Sequence, residues 1–169
     1  MGGHLARAAV LSDPRPFVSL TLLSSGPAEA GRLRQSELKL LLQALETMTM
    51  AQVWEALGER RHIHASAEEA EHLRSRWLRT HVSHLRVVGR QLLTEPDRTP
   101  ELAAVESLPK HVVYGDAEDT WTLWQLEDMA ARLRAHRTLL SGAGHSPNLQ
   151  LPAETAAGLI AFWSRLPRA

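Results

Sequence analysis

The chain has 169 residues, 44% of them apolar and 22% charged, a globular composition long enough for one domain of ordinary size. Its 19 Lys and Arg balance 19 Asp and Glu, so no net field steers it toward nucleic acid or an anionic membrane surface. Cysteine is absent, which excludes disulfides, thiolate metal sites and a cysteine nucleophile; no apolar run reaches membrane length, and the expected setting is the cytoplasm.

Residues 1–11 predict a helix whose small side chains Gly2, Gly3, Ala6, Ala8 and Ala9 allow close approach to a sheet; Asp13, Pro14 and Pro16 end it. The apolar run 17–23 stops at Ser24-Ser25-Gly26-Pro27 and reads as a strand buried on both faces. From about 35 to 93 the pattern is helical. Leu38, Leu41, Leu42 and Leu45 share one helix face, Val53, Trp54 and Leu57 begin a second helix, and a charged third helix spans about 67–80. The stretch 94–100 reads as a linker, with Thr99 and Pro100 as N-cap and first helical residue.

Strand and helix then alternate. Residues 110–114 predict a strand that enters the turn Gly115-Asp116. Leu123, Leu126, Met129, Ala130 and Leu133 mark an amphipathic helix. Residues 137–140 predict a short strand ending at Ser141-Gly142-Ala143-Gly144, and Pro152 starts a last helix. This order implies parallel strands joined by right-handed crossovers, an α/β fold class.

Three segments together resemble the α/β-hydrolase family. Met1-Gly2-Gly3-His4-Leu5-Ala6 resembles the residues just after the nucleophile in that family's Gly-x-Ser-x-Gly turn. Val112-Val113-Tyr114-Gly115-Asp116-Ala117-Glu118-Asp119 occupies the place of the acid, and Gly142-Ala143-Gly144-His145-Ser146-Pro147 the place of the His. The resemblance implies a partial α/β-hydrolase fold: C-terminal parallel strands with flanking helices and an inserted helical cap. It implies a core helix and strand over 1–26, the cap over 27–107, and a C-terminal core over 108–169.

It also implies a chemistry. A Ser hydroxyl needs a base to take its proton, and His145 would be that base. A carboxylate would hold the imidazole tautomer, and the Met1 backbone N–H would be one oxyanion donor. Counting from Gly115 in the family's Gly-x-x-Asp turn selects Glu118, while Asp119 is the commoner residue type, so the acid stays open between them. The Pro expected four residues after the acid falls on Thr122, a departure from the pattern. No Gly-x-Ser-x-Gly occurs in the chain. Met1 is therefore expected to be an internal residue of a longer protein, with the nucleophile just upstream. Met-Gly-Gly favours Ser there over the Asp of dehalogenase-like branches. The implied substrate is a small ester, lactone or related acyl compound, with no cofactor, no metal, no nucleic acid and no membrane partner. An exposed sheet edge would favour pairing of copies.

Other readings stand beside this one. A non-catalytic remnant or interaction module fits the missing nucleophile. An all-α binding protein requires the short strands to be loops. His62 and His64, and His81 and His84, have metal-pair spacing without further ligands. Arg60, Arg61, Arg74, Arg76 and Arg79 are balanced by Glu68, Glu69 and Glu71 as a solvated face. Trp54 and Trp77 suit either an acyl pocket or core packing.

Overall fold

Three short β runs pair as one parallel sheet in a computed structural model of the chain, which describes residues 1–61 and 66–167. The pair His62 and His64 lies outside the described residues. The chain divides into two compact units, Met1–Gly31 with Glu95–Ala169, and Arg32–Thr94.

The first unit holds the sheet. Strands β1 (Leu20–Leu23), β2 (Lys110–Gly115) and β3 (His136–Leu140) lie in that order, Leu22 opposite Val112 and Val113 opposite Thr138. Helices α1 (Gly2–Ser12), α6 (Thr99–Ala103), α7 (Leu123–Arg132), α8 (Pro147–Gln150) and α9 (Pro152–Trp163) belong to this unit.

Alternation along the strands separates two apolar layers. Leu20, Leu22, Val112 and Tyr114 pack with Val10 of α1, Leu102 of α6 and Leu126 and Met129 of α7. Val113, Leu140 and Ala143 pack with Leu151 and with Leu159 of α9. Val112 and Val113 are fully buried, each contributing about 1.5–3 kcal/mol relative to exposure. Helix α7 starts at Thr122, whose hydroxyl accepts from the Gln125 N–H while the Gln125 side chain accepts from the Thr122 N–H. The residue that departs from the hydrolase pattern is thus itself a helix start signal.

Several expectations need correction. The strand is shorter than 17–23, and Phe17 and Val18 are exposed, because the turn from Pro14 to Phe17 carries them off the sheet. Its residues alternate between buried and half-buried rather than being enclosed on both faces. The stretch 94–100 is no open linker: Glu95 and Thr99 are buried, and the Glu95 carbonyl accepts from the Glu29 N–H. Thr99 lies inside α6 rather than capping it, since Asp97 Oδ1 takes the Thr99 N–H at 2.8 Å. Residues 27–31 and 95–107 fall in the first compact unit. Helix α1 does set Gly3 and Ala6 among its neighbours, but it also buries His4 and Arg7.

The second unit is helical: α2 (Arg32–Thr47), α3 (Met50–Arg61), α4 (Ala67–Arg79) and α5 (Val82–Thr94). Leu45 and Val53 are buried, and Gly89 lets α5 approach Leu42 of α2. The Trp54 and Trp77 rings lie 6.2 Å apart, and the Trp77 indole donates to the Met50 carbonyl at 2.7 Å. His81 Nδ1 is bonded to the Ser83 hydroxyl. Among the described residues no helix is long and apolar enough to cross a membrane, and no three His, Cys, Asp or Glu form a metal-holding group.

Candidate active site

Parallel pairing of β2 with β3 brings the turns after both strands to the same sheet end. The acidic turn follows β2 and the histidine loop follows β3. The Asp116 side chain ties them together, accepting from the Gly142 N–H and the Ser141 hydroxyl, both at 2.7 Å. Within the histidine loop, Gln150 Oε1 accepts from the Gly144 N–H at 2.7 Å. The loop turns at Gly142, whose φ of +82° is the left-handed region that glycine enters without strain. Its next residue, Ala143, accepts from the Ala117 N–H at 2.9 Å.

That crossing requires Gly115. A Cβ there would sit 1.9 Å from the Ala143 carbonyl oxygen, so any side chain must push the histidine loop away. Gly115→Ala is expected to destabilise the chain by about 2–3 kcal/mol in denaturant unfolding, through overpacking against backbone that cannot rotate aside. An unchanged midpoint would mean that the loop yields freely.

His145 and Glu118 meet here. His145 Nδ1 lies 2.9 Å from Glu118 Oε1 and 3.1 Å from Oε2. The imidazole is 47% exposed, while the carboxylate behind it is 1% exposed. Burial alone would raise the Glu118 pKa, but the bonds from His145 and from the Thr120 N–H outweigh it and hold the carboxyl below the ordinary Glu value. An ionised carboxylate can only accept, so the Nδ1 atom facing it carries the proton and Nε2 is the basic nitrogen. Asp119, exposed in the same turn, accepts from the Thr120 hydroxyl at 3.2 Å. Between the two acids the sequence left open, the one set directly against the imidazole is Glu118.

Met1, Ser24, Ser25, Ser146 and His145 line one cleft of about 420 Å³. Met1 precedes α1 and its carbonyl accepts from the His4 and Leu5 N–H groups. Ser24 holds φ of 41°, uncommon for a residue with a side chain, at the point where β1 turns into the cleft wall.

The sequence did not single out Asp116, Gln150, Thr120 or Trp121 as parts of this arrangement. Trp121 is 3% exposed, its ring centroid lies 6.0 Å from that of His145, and its indole donates to the carbonyls of Ala28 and Glu29. A legible signal existed for Asp116: in parallel neighbours, the residue ending one strand faces the turn ending the next, here Ser141-Gly142.

No known family model matches the chain, and no curated protein does. Solved structures do. A carboxylesterase of the ammonia-oxidizing thaumarchaeon Nitrososphaera gargenis aligns with a TM-score of 0.78 at 17% identity, covering 96% of this chain and 61% of its own. The enol-lactonase of Burkholderia xenovorans aligns with a TM-score of 0.76 at 16% identity, over 98% and 63%. The α/β-hydrolase enzyme MGS-M2 from a deep-sea metagenome aligns with a TM-score of 0.74 at 9% identity, over 99% and 64%. The chain has a partial α/β-hydrolase fold. It spans a little over three fifths of the length of these structures.

Proposed function

We propose that this chain is the C-terminal part of a hydrolase that cleaves a small ester, lactone or related acyl substrate through an acyl-enzyme. His145 is the general base and Glu118 the acid that orients it. The nucleophile is a Ser supplied by the segment upstream of Met1. The observation that carries this reading is the Nδ1 bond of a half-exposed His145 to a buried, ionised Glu118, beside a cleft that Met1 also lines.

The geometry supports these roles. With Nδ1–H held by Glu118, Nε2 accepts the proton of the attacking hydroxyl and returns it to the leaving group. Glu118 stabilises the imidazolium formed between those steps without itself taking the proton. The Met1 nitrogen, as a backbone amide opening α1, donates to the oxyanion with the helix N-terminus behind it. Neighbours that are carboxylesterases and an enol-lactonase support the acyl substrate class. The helical unit α2 to α5 corresponds to the cap that the α/β-hydrolase resemblance implies.

A fluorophosphonate probe tests this on the protein purified from its own cells. Labelling is expected on a Ser just before Met1, and replacing His145 with Ala removes at least about 10³-fold of the labelling rate. A protein whose chain begins at Met1 and takes no label would leave the interaction module as the better reading.

A further inference from the structure

Glu118 meets the imidazole directly, and Thr120 stands between Asp119 and the ring. Its N–H donates to Glu118 Oε1 at 2.9 Å. Its hydroxyl lies 3.2 Å from Asp119 Oδ1 and 3.3 Å from His145 Nδ1. A hydroxyl has one proton and two lone pairs. The carboxylate of Asp119 can only accept, so the Thr120 proton points there, and a lone pair is left for Nδ1–H. Thr120 is 8% exposed, and its carbonyl accepts from the Gly31 N–H at 2.8 Å, so the residue is held by its backbone on both sides.

We propose that Thr120 is a positioning residue for His145. Its hydroxyl, oriented by Asp119, accepts a share of the Nδ1–H bond whose main acceptor is Glu118, and so sets the rotation of the ring. The second carboxylate thereby acts on the imidazole through Thr120 rather than by touching it. A carboxylate alone leaves the ring free to swing about the Nδ1–O line. A second acceptor off that line removes the swing and keeps Nε2 on one bearing. Trp121 backs the ring with its plane tilted 35° to the imidazole.

The inference rests on the His145–Glu118 reading above, and its first test does not need turnover. On the isotope-labelled protein as its own cells make it, the His145 Nδ1–H resonance is followed by NMR. Thr120→Val is expected to move it upfield and to speed its exchange with water about five-fold, the scale of one ordinary hydrogen bond; Thr120→Ser restores both. In the hydrolase carrying the upstream nucleophile, Thr120→Val lowers kcat about five-fold with KM little changed. Asp119→Ala alone lowers it about three-fold, and adds nothing once Thr120 is Val.

An Nδ1–H signal indifferent to Thr120→Val, or Asp119→Ala and Thr120→Val losses that simply multiply, overturns the proposal. A protein that shows the NMR response yet never labels or turns over would sink the hydrolase reading and leave Thr120 as the His145 positioner.

Discussion

Glu118→Gln is expected to lower kcat/KM of the proposed hydrolase about 10³- to 10⁴-fold, while Asp119→Asn costs only a few-fold. The contrast comes from where each group stands. Gln cannot balance the imidazolium charge. Its amide can also turn an N–H toward Nδ1, which favours the tautomer with the proton on Nε2, the nitrogen that must accept. Glu118 is buried behind the ring at 2.9 Å from Nδ1, so no water replaces the lost charge. Asp119 is exposed and sits one hydroxyl away from the ring. Fold stability should change little in Asp119→Asn, and a thermal melt of both variants separates misfolding from lost chemistry. Equal losses at the two positions would show that the direct contact does not define the acid.

Acid is expected to destabilise the fold well before the carboxylates titrate, because of His111. This residue is fully buried in β2, with Nε2 bonded to the Thr138 hydroxyl and the Phe162 ring 4.5 Å away. Burial, and the neighbouring His136, lower its pKa to about 4. The unfolded chain takes up that proton near the ordinary value of about 6.5. The stabilisation is therefore complete above about pH 6.5, shrinks as pH falls, and is gone below about 4. A shift of this size corresponds to about 3 kcal/mol. His4, lowered to about 4 by burial and by Arg7 against the opposing pull of Glu95, acts in the same window and direction. Urea unfolding at pH 7, 5.5 and 4.5 measures the slope. His111→Gln, which keeps an amide for Thr138 and has no proton to gain, should remove the His111 share. A slope identical in the variant would mean that His111 is hydrated or already charged in the folded chain.

Local chemistry in the sequence determined much of this protein. Apolar runs bounded by Gly, Pro and Ser specified three strands, because strand burial and turn geometry are both written in near neighbours. Leu126, Met129, Ala130 and Leu133 specified the inward face of α7 for the same reason, and the Gly-Asp and Gly-Ala-Gly-His turns marked the sheet end where the candidate site lies. The resemblance to α/β-hydrolases carried His145 and a carboxylate partner from two distant turns.

What the tertiary structure alone decided are matters of distance across the sheet. Glu118 and Asp119 are adjacent in sequence, and their side chains leave the same turn in different directions. Which one reaches the imidazole depends on the Thr120 N–H that draws Glu118 Oε1 inward and on the loop that Asp116 and Gln150 hold in place. The exposed Phe17 and Val18, the buried His4 and Arg7, and the buried Glu95 ran against local expectation. Hydrophobicity and propensity describe one residue at a time, whereas burial of a polar group is decided by partners far along the chain. Glu95 faces His4, and Arg7 donates to the carbonyl of Pro27, contacts that exist only once the α1 helix has packed.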